Sequence, residues 1–329
     1  MRRRDFTAGL LLASAVQSVW AQEPAKHHRI AVIAAGPVAG IHDPGVRPFQ
    51  AFFEELRRLG DVEGQNLTVD GYSGGGHPEA YADVAREVVS RNPDVIVAST
   101  DPIARAVRAA AGTTPIVWIG GDPIQAGFAR SFAHPGGNIT GVTTYAGAEI
   151  WGKRLQILKE AVPAASKAAY LTMRISQAPE GQQILEAGRR LQMSVIELPL
   201  DEATATAIER AFSEIVQRQS QAIIVNSIGI LLPYRQLIIE LAAKSRLPAI
   251  YPWRDYVEAG GLMAYASDDR ELWRRMAEDV HEILNGAKPG DIPIYQPAKF
   301  EFVINLNAAK TLGLTFPPAL LATADEVIE

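Results

Sequence analysis

The chain of 329 residues contains no cysteine and has no excess of basic residues. The absence of cysteine excludes disulfides, thiolate nucleophiles, cysteine metal ligands and a lipid-modified cysteine after a leader. The formal net charge of -5, without any basic block or stripe, argues against a nucleic-acid partner. The six histidines show no metal-ligand spacing, and neither a GxSxG elbow nor a GxGxxG fingerprint is present. We therefore expect a protein that is not an enzyme and that has no metal or cofactor.

The N-terminus has the three-part pattern of a secretory signal peptide. Arg2 to Arg4 form a basic region, residues 6–16 are apolar, and a small residue, Ala21, closes a cleavage-like site. The apolar run is too short for a membrane span, which needs about 20 apolar residues. The segment Arg3-Arg4-Asp5-Phe6 also fits a twin-arginine leader. The sequence predicts a signal peptide over residues 1–21 and a mature protein in the periplasm.

Apolar runs and amphipathic stretches alternate along the rest of the chain, which is 47% hydrophobic and 21% charged. This βαβα rhythm predicts parallel sheets covered by helices on both faces. The rhythm restarts near residues 141–148, which predicts two α/β lobes. The predicted strands are 30–34, 67–72, 95–98, 115–119, 168–172, 194–198, 222–226, 249–251, 262–265 and 300–304. The predicted helices are 46–59, 78–91, 102–111, 150–161, 179–191, 203–217, 232–245, 271–284 and 308–312.

Ligands of open α/β sheets bind at the carboxyl ends of the strands, where helix N-termini offer free N–H groups. The first such junction holds Gly36 and Pro37, either in a ligand-facing loop or in an ordinary turn. The second is Ser99-Thr100-Asp101, followed by Pro102. Asp101 is predicted to be the N-cap of a helix, with Pro102 at its first position. The hydroxyls of Ser99 and Thr100 predict a carboxylate-binding junction.

Further candidates follow later strands. Gly121 and Asp122 repeat the pattern of a cap followed by proline, and Asn226 and Ser227 follow a strand of the second half. Arg174 either pairs with a ligand carboxylate or is a solvated surface residue.

Two candidates lie late in the chain. The aromatic cluster around Trp253 either stacks on a ligand or packs at a lobe hinge. Asp268 and Asp269 precede a helix, where acidic residues are favoured as caps.

Several segments together resemble the ABC transporter substrate-binding family that includes tryptophan/tyrosine-type binding proteins. The resemblance covers essentially the whole mature chain, and its motifs are specific only in combination. They lie at 62–66, 120–123, 134–142, 248–254, 258–263, 299–305 and 323–328.

This resemblance implies a type I periplasmic-binding-protein fold with two Rossmann-like lobes, a three-stranded hinge and a ligand cleft between the lobes. The implied first lobe is 28–143 plus 267–292, and the implied second lobe is 144–266 plus 293–329. Thr100, Asp122, Asn226 and Asp268 would face the cleft, and Tyr145 joins the ligand-binding set.

The implied function is capture of a small organic ligand, an amino acid or an aromatic carboxylate, by hinge closure. The implied partners are a membrane permease and its ATPase, with a monomer expected. Residues 172–174 depart from the family pattern, which leaves the ligand open. A ligand-sensing module for a membrane receptor and an exported enzyme using the same cleft remain the alternatives.

Overall fold

The fold is that of a computed structural model, which describes residues 27–35, 41–42, 47–75, 77–144, 147, 149–174 and 178–329. The predicted signal peptide, 1–21, lies outside the described residues. None of the helices in the described ranges is long and apolar enough to cross a membrane.

The described residues form twelve strands and eleven α-helices. The strands are β1 (His28–Ala34), β2 (Leu67–Ser73), β3 (Val95–Ala98), β4 (Ile116–Gly120), β5 (Ile139–Thr143), β6 (Lys167–Met173), β7 (Ser194–Leu200), β8 (Ala222–Val225), β9 (Ala249–Tyr251), β10 (Met263–Ser267), β11 (Phe300–Asn305) and β12 (Glu326–Ile328). The helices are α1 (Arg47–Leu59), α2 (Tyr81–Ser90), α3 (Asp101–Ala110), α4 (Glu149–Ala161), α5 (Ala178–Arg190), α6 (Ala205–Gln217), α7 (Arg235–Lys244), α8 (Arg254–Glu258), α9 (Asp269–Leu284), α10 (Leu306–Leu312) and α11 (Pro318–Leu321).

The first sheet has the strand order β2-β1-β3-β4-β5, and all its pairings are parallel. Helices α1 and α9 cover one face, and α2 and α3 cover the other. Its inner strands read as continuous apolar runs, such as Val95–Ala98, because a parallel sheet is buried on both faces. The sequence therefore predicted these strands well.

The second sheet has the order β12-β11-β10-β9-β8-β6-β7. Strands β6 to β10 are mutually parallel, whereas β11 runs antiparallel to β10. Helices α6, α7 and α8 pack on one face, and α4, α5, α10 and α11 pack on the other. Each lobe thus has its own core on both sides of its own sheet, as the restarted sequence rhythm predicted.

The chain passes between the sheets three times: after β5, after β10 and before β11. Helix α9 belongs to the core of the first lobe. The return segment stays there beyond the predicted boundary at 292, because Ile294 N donates to Phe132 O and Tyr295 N donates to Gly141 O. The last crossing therefore begins after residue 295.

Strand β5 was not predicted as a strand. Gly141 adopts a φ of 138°, and a Cβ at this position would overlap the backbone of Trp118 on β4. Only glycine permits this approach, so the strand lacks the uniform β-branched pattern of its neighbours. The short elements α8, α11 and β12 were also missed, and residues 229–234 form a 3₁₀ turn before α7.

One buried carboxyl group lies in the core of the first lobe. Asp279 on α9 is only 8% exposed, and its Oδ2 has no hydrogen-bond partner. Burial, together with the nearby Glu282 and Glu278 carboxylates, raises the pKa of Asp279 well above its ordinary value. Ionising this group therefore destabilises the folded state.

We expect Asp279→Asn to stabilise the protein by about 1–3 kcal/mol near neutral pH. The pKa is raised in the folded state, so the wild type loses stability as pH rises above the unfolded value of about 4. Chemical unfolding near pH 8 should therefore show the gain, and unfolding near pH 4 should show little. Glu209→Gln, which neutralises an exposed carboxylate on α6 in the other lobe, is the control. Equal effects of the two substitutions would contradict the prediction.

Candidate ligand-binding cleft

The carboxyl ends of the parallel strands of both sheets meet where the lobes face each other. A Cβ built on Gly229, which follows β8 in the second lobe, would lie 3.5 Å from Cγ2 of Thr100 at the start of α3 in the first lobe. The loops that follow the strands of both lobes are therefore in contact. This arrangement makes the strand ends, which carry most of the predicted site residues, the walls of one cleft.

Thr100 has the clearest unused polar group in the cleft. It is the N-cap residue of α3, yet its side chain makes no capping hydrogen bond. Its Oγ1 is buried and has no hydrogen-bond partner. Buried hydroxyls are normally hydrogen-bonded, so this oxygen marks a position that a ligand atom would complete.

Ser99, the residue before Thr100, serves the fold instead. Its Oγ accepts a hydrogen bond of 3.1 Å from the backbone N of Ala35, at the end of β1. The bond ties two neighbouring strand ends together, which fixes the backbone from which Thr100 projects.

Asp101 is not the N-cap that the sequence predicted. The helix begins at Asp101 itself, and its carboxylate accepts hydrogen bonds from Trp118 Nε1 at 2.8 Å and from Gly121 N at 3.2 Å. The indole of Trp118 is completely buried and needs an acceptor, which no local sequence pattern indicates. Burial raises the pKa of Asp101, although these hydrogen bonds partly oppose the shift.

Gly121 and Asp122 follow β4. Gly121 presents its N–H to Asp101, and its carbonyl oxygen accepts from Thr143 Oγ1. Asp122 Oδ1 accepts from the backbone N of Ile124 and Gln125 at 2.8 and 3.1 Å. Asp122 therefore caps the turn that follows it, which agrees with the cap-then-proline pattern.

Asn226 closes the end of β8 in the second lobe. It is 1% exposed, and its Nδ2 donates to Thr172 Oγ1 at 2.8 Å and to Tyr170 OH. Its amide thus connects the ends of β8 and β6.

Ser227 follows Asn226, and its Oγ accepts a 2.6 Å hydrogen bond from Nη1 of Arg154. Arg154 is a functional candidate that the sequence reasoning missed. The sequence pattern that could have indicated Arg154 is its position on the apolar face of α4, between Trp151 and Leu158.

The side chains of Arg174 and Trp253 both have partners within the protein. Arg174 pairs with Asp201, and both side chains are largely exposed, as expected of a solvated surface arginine. Trp253 is 9% exposed, and its ring packs with that of Tyr256 in the core of the second lobe. The structure thus favours packing over ligand stacking for Trp253.

The second of the three crossings, which follows β10, carries the acidic residues Asp268 and Asp269. Asp268 is the N-cap of α9 and accepts from the backbone N of Arg270 and Glu271. Burial, and then the carboxylates of Asp255, Glu301 and Asp268, raise the pKa of Asp269 well above its ordinary value. Asp255 and Glu301 belong to the second lobe, where Glu301 is paired with Arg254 at 3.1 Å, so acidic side chains of both lobes approach one another at this crossing.

Three predicted candidates, Gly36, Pro37 and Tyr145, lie outside the described residues. Within the part of the chain that the structure describes, no group of three or more histidine or acidic residues is arranged to hold a metal ion. A small pocket of about 80 Å³ lies between α7 and α10 and is also lined by Leu247, Ala249 and Gly261, at the amino ends of β9 and β10.

Two α/β lobes of parallel strands, crossed three times by the chain and facing each other at their strand ends, define a type I periplasmic-binding-protein fold. The model of the ABC transporter substrate binding protein family matches residues 38–328, and the chain belongs to that family. This confirms the resemblance that the sequence motifs carry.

Known relatives agree with this assignment. The chain is 24% identical to the tyrosine-binding protein of Clostridioides difficile (strain R20291) over 268 residues, which cover 80% of this chain and 76% of that protein. Two solved structures share the fold, each covering 92% of this chain and 100% of its own. A conserved domain protein of Vibrio cholerae has a TM-score of 0.83 at 24% identity. The ABC domain from Streptococcus pneumonia in complex with L-Trp has a TM-score of 0.82 at 21% identity.

We expect Asp101→Ala to lower the free energy of unfolding by about 1–3 kcal/mol, because it leaves the buried Trp118 indole N–H without an acceptor. Asp101→Asn keeps an acceptor oxygen and should cost less. Asp122→Ala, which removes only a turn cap, is the control and should cost about 1 kcal/mol. Urea unfolding followed by tryptophan fluorescence measures all three. An Asp101→Ala protein as stable as wild type would refute this role of the carboxylate.

Proposed function

We propose that this protein captures a small organic ligand, most favourably an amino acid, in the cleft between its lobes and delivers it to an ABC permease and its ATPase. The observation that carries the proposal is the buried, unpartnered hydroxyl of Thr100 at the N-terminus of α3. A helix N-terminus attracts anions through its free N–H groups and its partial positive charge. A ligand carboxylate at this position would accept from the Thr100 hydroxyl.

The acidic end of the cleft supports an amino acid over a simple carboxylate. Asp268, Asp269, Asp255 and Glu301 lie near one another there. Burial, and then the other three carboxylates, raises the pKa of Asp269, although Glu301 is also paired with Arg254 at 3.1 Å. A ligand ammonium group would offset this repulsion. A zwitterion therefore matches both ends of the cleft, whereas an aromatic acid without an amine matches only the end at Thr100.

The relatives support the same ligand class. One is named a tyrosine-binding protein, and another was solved in complex with L-Trp. Because residues 172–174 at the cleft depart from the family pattern, the side chain of the ligand is a separate question from its amino-acid character.

The mechanism that we propose is hinge closure. The chain crosses between the lobes three times, so the lobes stay connected but can rotate about the crossings. A ligand that contacts both Thr100 in the first lobe and the strand ends of the second lobe stabilises the closed form. The permease would then recognise the closed pair of lobes, each protein acting as a monomer.

The proposed lobes are residues 28–143 with the return segment 267–295, and residues 144–266 with the tail from 296. The signal-peptide pattern at 1–21 supports export to the periplasm, with the twin-arginine route as the proposed path. An exported location is consistent with delivery to a membrane permease.

The proposal predicts stabilisation by an amino acid. At about 100 times its dissociation constant, a ligand adds roughly 2.7 kcal/mol to the free energy of unfolding. Thermal unfolding should be measured with L-tyrosine, L-tryptophan and branched amino acids, each beside the analogue that lacks the amine, such as 3-(4-hydroxyphenyl)propionate. Sugars and nucleosides serve as controls.

An upward shift in Tm with an amino acid, and a smaller one with its deaminated analogue, is the expected result. Small-angle scattering with the bound compound should show a more compact particle. A larger shift with the deaminated acids would reject the amino-acid assignment, and tight binding without compaction would reject hinge closure.

The proposed function also predicts the effect of a substitution at Thr100. Thr100→Val keeps the shape of the side chain but removes the hydroxyl. Because Oγ1 has no partner in the protein, the unfolding free energy should stay within about 0.5 kcal/mol of wild type or rise slightly. Binding of the amino acid that stabilises the wild type should weaken by about tenfold, measured by calorimetry.

Ser99→Ala is the matched control for Thr100→Val, because it removes a hydroxyl that bonds to the backbone of Ala35. It should lower stability and change affinity less. The reverse pattern, in which Thr100→Val destabilises the protein and leaves binding unchanged, would assign the hydroxyl to the fold rather than to the ligand.

A further inference from the structure

Arg154 is a buried cation at the centre of the second lobe. It lies on α4, is 2% exposed and is among the largest fully buried side chains of the described residues. Burying a guanidinium is costly unless its N–H groups are hydrogen-bonded. This burial therefore calls for a structural or functional reason, which the apolar neighbours on α4 do not supply.

The contacts of the guanidinium give that reason. Its Nε donates to the carbonyl oxygen of Tyr265 on β10 at 2.8 Å, and its Nη2 donates to that of Pro252 after β9 at 3.2 Å. Its Nη1 donates to Ser227 Oγ after β8 at 2.6 Å, and the group stacks over the ring of Trp151 at 5.0 Å. One planar group therefore binds three neighbouring strands at or near their carboxyl ends.

Each of these three strands ends at the cleft. Strand β8 is followed by Asn226 and Ser227, β9 by Trp253, and β10 leads through Asp268 to the crossing into the first lobe.

We propose that Arg154 is a positioning residue, which sets the geometry of the second-lobe wall of the cleft and thereby ligand affinity, without touching the ligand. The effect on affinity rests on the proposed function, because it needs a ligand. The hydrogen bonds of Arg154 are independent of that function. Lysine cannot replace arginine here, because a point charge on a flexible stem cannot donate in three fixed directions within one plane.

The test compares Arg154→Lys with a control of matched stability. Ile215→Ala truncates a completely buried side chain on α6, in the same lobe and outside these contacts. Hydrogen exchange of the ligand-free proteins should show rates raised about tenfold or more at residues 226–229, 252–254 and 265–268 in Arg154→Lys. The control should lose a similar amount of Tm without this local change.

Affinity for L-tyrosine and L-tryptophan is the second readout. Arg154→Lys should weaken binding by about tenfold or more, whereas Ile215→Ala should bind like wild type. Ser227→Ala should weaken binding less, and should add no further loss in the Arg154→Lys background, because both substitutions break the same hydrogen bond.

The outcomes separate the two proposals. If the wild type binds none of the amino acids in the panel above, the ligand assignment fails, and the local exchange pattern still decides the role of Arg154. If exchange rises evenly over the second lobe, or if Arg154→Lys binds as tightly as the control, Arg154 serves only stability. Should Arg154→Lys fail to fold, Ser227→Ala carries the test, with faster exchange expected at 226–229.

Discussion

Parallel pairing is the constraint from which the rest of this molecule follows. All strands of the first sheet, and β6 to β10 of the second, run in one direction, so their carboxyl ends collect at one edge of each sheet. Helix N-termini with unpaired N–H groups start from the same edges. Because the chain crosses between the sheets three times, these edges stay opposite each other. A polar cleft between two apolar lobes is the consequence.

Most polar groups at the strand ends hold the scaffold in place. Asp101 satisfies the Trp118 indole, Asp122 and Asp268 cap the segments that follow them, and Asn226 joins two strand ends. Against these occupied groups, the unpartnered hydroxyl of Thr100 stands out. A polar side chain at a strand end thus either stabilises the scaffold or is open to a further partner. Which of the two applies depends on whether it already has a hydrogen-bond partner within the protein.

The acidic crossing and Arg154 form a contrast. Arg154 lies in the second lobe and is engaged by carbonyl oxygens and a hydroxyl, whereas the carboxylates of Asp255, Asp269 and Glu301 meet where the two lobes approach. The hydrogen bonds from Arg154 to Tyr265, Ser227 and Pro252 lie within one lobe, so they do not depend on the distance between the lobes. The acidic crossing joins carboxyl groups of both lobes, so its electrostatic interactions depend on the distance between the lobes.

By itself, the sequence determined the class of fold. Continuous apolar runs and amphipathic spacings predicted ten of the strands and most of the helices, because burial on both faces leaves a direct pattern. It missed β5, where Gly141 replaces a branched residue, and it assigned Asp101 as a cap. Only the tertiary structure decided the partners of Asp101, Asn226 and Arg154. Those hydrogen-bond partners are 17 to 111 residues away along the chain. Hydrophobic periodicity describes only neighbouring residues of one helix or strand, so it cannot predict contacts at such separations.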